Sequence, residues 1–209
     1  MKFILNIIRI GLKKVWRNAF RIYLRLFFHK VGKNTDVHPS IEFESAEQIT
    51  IQANCIIKKH VTIKGRSERK TGVFLGKGVS IREFSNIDSY GGYVKIHDYT
   101  AIGHHSFIGG QGGVEIGKYV MIGGYSYIIS SNHLFEKIKI PFMLQGEKKA
   151  KIIIEDNVWV GAKCTILPGV KIGKNTVVGA SSVVTKSFGS NVMIAGNPAK
   201  EIKKITYDE

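Results

Sequence analysis

Residues 154–183 consist of five successive hexapeptides, IEDNVW, VGAKCT, ILPGVK, IGKNTV and VGASSV. A large aliphatic residue opens each unit, and the fifth position is small or β-branched. A period of six fits neither an α-helix nor an ordinary strand, and a fixed repeat of this kind indicates a solenoid. Three short strands would form one coil, with the first and fifth residues of each unit pointing inward and glycine-rich positions turning the corners.

The same spacing continues towards the N-terminus. Its aliphatic residues form four further coils: Ile116, Ile122 and Ile128; Ile96, Ile102 and Ile108; Leu75, Ile81 and Ile87; and a less regular first coil, Ile51, Ile57 and Ile63. Three excursions, at residues 64–74, 109–115 and 132–153, interrupt the repeat, and the surface loops of a solenoid are where binding sites are usually built. We therefore predict an all-β domain, a parallel β-helix solenoid, over residues 34–205 and a short tail over residues 206–209.

Residues 1–33 have a different composition, with nine basic residues and no acidic residue. Basic side chains recur every fourth residue from Arg9 to Arg25, opposite apolar residues that include Trp16 and Phe20, which predicts a cationic amphipathic helix. Arg9 interrupts the first apolar run, so we expect neither a signal peptide nor a membrane span. Such a helix either lies on an anionic membrane surface or packs in the protein.

The formal net charge of +15 is mostly a local property, because nine of these charges lie in residues 1–33. The rest of the chain has no interleaving of aromatic and basic residues that would suggest stacked bases, so we expect no nucleic-acid partner. Cys55 and Cys164 occupy inward fifth positions and are expected to be small core residues in a reducing compartment.

His133 is the candidate catalytic residue. It closes the unit IISSNH at an outward position, immediately before the longest excursion. An imidazole titrates near neutral pH and is therefore suited to act as a general base, although position alone leaves an exposed turn histidine equally open.

The hexapeptides, the segment SNH at residues 131–133 and the segment AGNPAK at residues 195–200 together resemble the hexapeptide-repeat acyltransferases, and in particular the galactoside, maltose and xenobiotic acetyltransferases and the bacterial surface-polysaccharide O-acetyltransferases. The resemblance covers about residues 75–205. It implies a left-handed parallel β-helix, a homotrimer with active sites between subunits, and acetyl-CoA as co-substrate. His133 matches the catalytic histidine of that family.

The resemblance also implies a coenzyme A groove of small and basic residues. Its members here are Trp159, Gly161, Ala162, Gly179, Ala180, Thr185, Lys186 and Lys203. Ala162 stands where galactoside enzymes carry a serine, so at this position only the backbone N–H could stabilise an oxyanion. The glycines and alanines could equally be corner residues, and Lys186 and Lys203 could be solvated charges.

The acceptor side is less specific. Gln111 in the excursion GGQGG, Asn132, and His105, which aligns loosely with an acceptor-contacting asparagine of galactoside enzymes, are the candidate substrate-binding residues. We predict an O-acetyltransferase that modifies a sugar hydroxyl in surface-polysaccharide biosynthesis, in the cytoplasm and on the inner face of the inner membrane through residues 1–33, with a carbohydrate or lipid-linked glycan as acceptor.

Three alternatives stay open at this point. One is acetyl transfer to the amine of an amino sugar, and another is a non-catalytic trimeric scaffold. The third is the zinc carbonic anhydrase type of left-handed β-helix, which needs three gathered histidines. His60 and His97 have a suggestive spacing, but the expected third ligand position holds Ile102, so no metal is expected.

Overall fold

The computed structural model describes residue 20 and residues 22–206. These residues form a solenoid with three faces, each a sheet of mainly parallel strands stacked along the solenoid. The predicted helix over residues 1–33 lies mostly outside the described residues. Within them a helical segment covers residues 22–27.

Each coil contributes one strand to each of the three faces. In chain order the coils are β1 (Lys30–Val31), β2 (Asp36–Val37) and β3 (Glu42–Glu44); β4 (Ile49–Ile51), β5 (Ile56–Ile57) and β6 (Thr62–Lys64); β7 (Val73–Leu75), β8 (Ser80–Ile81) and β9 (Asn86–Asp88); β10 (Val94–Ile96), β11 (Ala101–Ile102) and β12 (Phe107–Gly109); and β13 (Val114–Ile116), β14 (Met121–Ile122) and β15 (Tyr127–Ile129). A hairpin of β16 (Ser131–His133) and β17 (Glu147–Lys149) follows, and two 3-10 turns lie at Ala46–Gln48 and Phe142–Leu144.

Two further coils complete the solenoid. They are β18 (Ile152–Ile154), β19 (Trp159–Val160) and β20 (Thr165–Ile166), then β21 (Lys171–Ile172), β22 (Val177–Val178) and β23 (Val183–Val184). Strand β24 (Val192–Gly196) continues the second face in parallel, and β25 (Ala199–Lys204) pairs antiparallel with β24 and ends this sheet.

The sheet register follows the hexapeptide register. Ile102 lies beside Ile122, Ile122 beside Val160, and Val160 beside Val178, so the residues that open the hexapeptides stack from coil to coil. The predicted parallel β-helix is confirmed. The solenoid begins one coil earlier than the aliphatic pattern indicates, because Val31 and Val37 replace the usual isoleucines.

The fifth positions complete the core by bonding the backbone of neighbouring segments. Thr100 donates its hydroxyl to the Gly117 carbonyl at 2.7 Å, and Cys55 contacts the Gly76 carbonyl at 3.1 Å. Both cysteines are free and buried, and burial raises the pKa of the Cys55 thiol to about 11. These polar side chains therefore serve as core residues whose donors are satisfied.

The corner between the first and second faces of the solenoid shows how the chain turns without glycine. Asn157 and Asn175 both have φ near +57°, a left-handed conformation that asparagine tolerates better than most residues. The Asn157 amide donates to Asn175 at 2.9 Å, and Asn175 donates to Asn191 at 2.8 Å. A ladder of amides thus links successive coils at this corner.

The helical segment covers the open end of the first coil. Leu24 and Phe28 are buried against the core, and the Phe28 ring lies 4.9 Å from that of Phe43. The first strand begins at Lys30, so residues 30–33 belong to the first coil as well as to the predicted helical segment. The division at residues 33 and 205 stays a prediction.

The stacked core predicts a large difference between two neighbouring substitutions. Ile122 is 3% exposed and Met121 is 54% exposed. Ile122→Ala should lower the free energy of unfolding by about 2–5 kcal/mol, because it leaves a cavity between two coils. Met121→Ala should change it by less than about 0.5 kcal/mol. Urea unfolding followed by circular dichroism measures both, and equal effects would contradict the inward register.

Candidate active site

His133 lies on the hairpin that leaves the third face after β15. Strands β16 and β17 pair antiparallel, with His133 directly opposite Glu147. The His133 Nε2 atom lies 3.8 Å from the Glu147 Oε1 atom, and the imidazole is well exposed. The hairpin therefore holds a histidine and a carboxylate side by side above the sheet.

A cavity of about 430 Å³ lies between this hairpin and the outer surface of the third face. Its lining residues are Tyr90, Phe107, Gly109, Gln111, Tyr127, Ile129, Ser131, Asn132, His133 and Glu147. Aromatic walls with a few converging polar groups are typical of small-molecule sites. Partial burial raises the pKa of the Tyr127 phenol, and the nearby Tyr90 phenol adds to this shift.

The cavity brings together most of the predicted acceptor residues. Gln111 and Asn132 both line it beside His133. Ser131 donates its hydroxyl to Gln111 Oε1 at 2.7 Å, which fixes the amide and leaves its nitrogen available as a donor.

His105 lies elsewhere, at a corner between the second and third faces. Its ring stacks between those of Phe84 and Tyr125, 4.9 Å from each. The structure therefore gives His105 a packing role and does not bring it to the cavity within one chain. Its assignment to the acceptor stays a prediction.

The excursion that carries Gln111 is packed tightly against the hairpin. A Cβ at Gly112 would lie 2.4 Å from the Ser130 carbonyl oxygen, and the Gly112 N–H donates to Ser130 Oγ at 2.9 Å. Glycine is thus required here for close approach of two backbones, a packing role that the sequence did not reveal.

Glu147 is a site residue that the sequence analysis does not identify. Thirteen residues separate it from His133 in the chain, so only the hairpin register brings the two together. The signal available in the sequence was the turn glycine at Gly146, whose φ is +83°.

The residues predicted to bind coenzyme A fall into separate groups. Thr185 lines a second cavity of about 240 Å³ together with Asn132 and Lys148, at the corner between the third and first faces. Gly161, Ala162, Gly179 and Ala180 lie at the opposite edge of the third face, where β19 and β22 end. Trp159 is 52% exposed on the second face.

The small residues at that edge also have a structural reason. A Cβ at Gly161 would lie 2.6 Å from the backbone nitrogen of Ala180 in the next coil. Ala162 and Ala180 are exposed, so their methyl groups are open to a ligand or a partner. Gly161 therefore has a packing role, and the assignment of the alanines to a coenzyme A groove stays a prediction.

The two predicted basic residues lie near the C-terminal end of the solenoid. The Lys186 Nζ atom lies 5.7 Å from the centre of the Phe188 ring. Lys203 is exposed on β25, opposite Met193. Their contact with a nucleotide phosphate stays a prediction.

Within residues 20 and 22–206 there is no group of three or more histidine, cysteine, aspartate or glutamate side chains that could hold a metal ion. His60 stacks on Phe84 at 5.0 Å, and His97 lies 6.2 Å from Phe74, so these two histidines have separate aromatic neighbours. In the same part of the chain, no helix has the length and apolarity needed to span a membrane.

Comparison with known proteins places this geometry in context. Residues 151–186 match the family described as bacterial transferase hexapeptide (six repeats). The putative lipopolysaccharide biosynthesis O-acetyl transferase WbbJ of Escherichia coli is 31% identical over 164 residues, which cover 74% of this chain and 82% of that protein. The putative acetyltransferase YJL218W of Saccharomyces cerevisiae is 41% identical over 118 residues, 56% of this chain and 59% of the relative, so this match spans less than two thirds of the yeast protein.

A solved structure has the same architecture. A mutant of AntD, an N-acyltransferase from Bacillus cereus in complex with dTDP and coenzyme A, aligns with a TM-score of 0.65 over 89% of both chains. At 23% sequence identity this likeness concerns the fold.

Proposed function

The chain belongs to the hexapeptide-repeat family of acetyltransferases, and from this premise we propose that it transfers an acetyl group from acetyl-CoA to a sugar hydroxyl during surface-polysaccharide synthesis. The observation that carries the proposal is the cavity in which His133, Glu147, Gln111 and Asn132 face aromatic rings. The similarity to a putative lipopolysaccharide O-acetyl transferase, over most of that protein, supports a glycan acceptor.

His133 acts as the general base in this proposal. Its imidazole takes the proton of the acceptor hydroxyl while the hydroxyl oxygen attacks the thioester carbonyl carbon. The carbon–sulfur bond then breaks, and the leaving thiolate recovers the proton from the imidazolium. The products are an acetyl ester and free coenzyme A. The backbone N–H of Ala162 is the proposed oxyanion donor.

Glu147 supports this step electrostatically. A carboxylate 3.8 Å from Nε2 favours the imidazolium that forms when His133 accepts the proton. A small shift of the exposed ring would convert this contact into a charge-assisted hydrogen bond. Glu147 is thus a positioning residue, and the paired strands keep it opposite His133.

A second copy of the chain is needed to complete the site. His133 and Thr185 lie at one edge of the third face, whereas Ala162 and Ala180 lie at the other. A neighbouring subunit that presents its alanine edge to the His133 hairpin would join the two halves of the coenzyme A groove. We propose a homotrimer, which is the smallest closed ring that head-to-tail contacts can form and the expected state of this family.

An amine on an amino sugar is the alternative acceptor, since the same histidine could accept its proton. A non-catalytic scaffold would not require a histidine and a carboxylate opposite each other in a cavity. Product analysis separates an acetyltransferase from a scaffold, and the stability of the product in mild alkali separates an amide from an ester. Incubation with acetyl-CoA and candidate glycans should give a product heavier by about 42 Da, and stoichiometric free coenzyme A.

Contact with the membrane is proposed through residues 1–33. The basic residues of this segment are attracted to an anionic leaflet by about 1 kcal/mol each. Within it, Ile22, Leu26 and Phe27 expose apolar side chains, while the buried Leu24 and Phe28 attach the segment to the solenoid. This supports a peripheral location on the cytoplasmic face of the inner membrane, where a lipid-linked glycan would be accessible.

Loss of the base should remove activity without loss of fold. His133→Ala should lower kcat by about 10²–10⁴-fold, the range for a general base. Glu147→Gln should lower kcat less, by about 10-fold, with the KM for acetyl-CoA unchanged. His38→Ala, an exposed histidine outside the cavity, is the matched control. More than half of wild-type turnover in His133→Ala would contradict the assignment.

The alanine edge can be tested by filling it. Ala180→Trp should weaken acetyl-CoA binding at least 10-fold in calorimetry, because the indole occupies the proposed groove. Lys174→Trp places the same side chain at an exposed corner position remote from that edge and should leave affinity unchanged. Wild-type affinity in Ala180→Trp would remove this edge from the site.

Membrane contact can be tested in the full-length chain. Lys13→Glu, Lys14→Glu and Arg17→Glu together should strongly weaken co-sedimentation with phosphatidylglycerol vesicles at low salt, because the net charge of residues 1–33 falls from +9 to +3. The same charge change at Lys58, Lys59 and Lys77 is the control and should retain binding. Equal loss or equal retention in both variants would refute a specific role for residues 1–33.

A further inference from the structure

Three aromatic rings form a row along the third face. Phe107 and Tyr127 occupy the same outward position on β12 and β15 and lie side by side in register. Tyr90 follows β9 on the preceding coil, and its ring centre lies 6.2 Å from that of Phe107. We call Tyr90, Phe107 and Tyr127 the aromatic row.

The spacing of the row leaves apolar surface uncovered. The rings of Phe107 and Tyr127 are nearly parallel, with 16° between their planes and 4.8 Å between their centres. Rings in full face-to-face contact lie only about 3.5 Å apart, so at 4.8 Å between centres these two rings are offset or separated. Tyr90 and Tyr127 are 45% and 43% exposed.

The row begins at the proposed reaction centre and extends away from it. All three rings line the cavity that contains His133, and Gln111 and Asn132 lie in the same lining. Tyr127 belongs to the coil from which the His133 hairpin departs, whereas Tyr90 is two coils further away. The cavity is therefore elongated along the solenoid axis, with its polar groups concentrated near the hairpin.

The repeat of the row matches that of a glycan chain. Adjacent strands are about 4.8 Å apart, which is close to the length of one pyranose unit. The C–H face of a pyranose is apolar and packs against aromatic surface, while its hydroxyl groups need donors and acceptors at the edge. Gln111, Asn132 and Glu147 supply such groups next to the rings.

We propose that the aromatic row is a glycan-binding surface for about three consecutive sugar units, so that the acceptor is an oligosaccharide chain. The inference rests on the proposed function. The sugar that is acetylated lies at Tyr127 and His133, the next contacts Phe107, and the most remote contacts Tyr90. Tyr90 is then a specificity residue that recognises chain length.

A second copy of this chain is the competing occupant of the row. A protein interface would be expected to bury Gln111 and the His133–Glu147 pair together with the rings, because all of them line one cavity. Burial of such polar groups without matched partners is costly. A glycan can pack its C–H face on the rings and pair its hydroxyl groups with the polar side chains. Its reactive hydroxyl must also reach His133.

The test uses the full-length protein and an array of mono-, di- and trisaccharides of glucose, galactose, mannose and N-acetylglucosamine. The wild-type protein should retain at least one trisaccharide about tenfold more tightly than the matching monosaccharide. Tyr90→Ala should remove most of this difference without changing monosaccharide binding. Tyr119→Ala removes a ring that is 59% exposed and stacks on Tyr99 outside the cavity, and this control should behave as wild type.

The inference would be overturned by retention that does not depend on chain length, by retention of no glycan, or by dissociation of the oligomer by Tyr90→Ala in light scattering. The last would assign the row to a copy–copy interface. Acetyl transfer at equal rates to mono- and trisaccharides would also reject the row, yet leave the proposed function standing. Length-dependent binding without acetyl transfer to any glycan would reject the proposed function and retain the row.

Discussion

Every other feature of this molecule depends on the in-register hydrogen bonding of parallel strands from one coil to the next. The Met121 N–H donates to the Val158 carbonyl and the Trp159 N–H to the Thr176 carbonyl, both at 2.9 Å, and the ladder repeats on all three faces. Because the coils are stacked, each strand needs the next coil to satisfy its backbone and to bury its isoleucine. The hexapeptide repeat meets both requirements together, because it places the strands and the inward aliphatic residues at the same positions in every coil.

This rigid stack explains how the candidate site is built from short segments. The backbone of an internal coil is hydrogen-bonded to the coils on both sides of it. Side chains on the outer surface are therefore held at fixed separations. Functional side chains are placed where the chain leaves the stacked strands. The hairpin of β16 and β17 follows β15, and the chain rejoins the solenoid at β18. The cavity lies between this hairpin and the rigid third face.

The fold could be predicted from the sequence because the hexapeptide period is strong. Residues such as Ile102 and Ile122 had to be inward and adjacent, and they are. The first coil was missed because Val31 and Val37 carry too little of the pattern, and their placement depends on pairing with the next coil.

The site was less predictable because excursions have no period. His133 could be identified from its position and its resemblance, and Gln111 and Asn132 do lie beside it. Glu147 could not be identified, since a hairpin register is set by tertiary pairing across thirteen intervening residues. The aromatic row was hidden for a related reason, because Phe107 and Tyr127 become neighbours only when coils stack. His105 was predicted to contact the acceptor, but its ring lies in an aromatic stack, a position that no local sequence pattern indicates.

In the proposed reaction, His133 deprotonates a sugar hydroxyl, whose oxygen then accepts the acetyl group of acetyl-CoA. The most direct measurement is to incubate the purified protein with carbon-13-labelled acetyl-CoA and a trisaccharide acceptor, and then to expose the labelled glycan to mild alkali. An ester is cleaved under these conditions, whereas an amide is stable. Release of the label as acetate would agree with O-acetylation of the glycan. An alkali-stable label, or no label in the glycan, would contradict it.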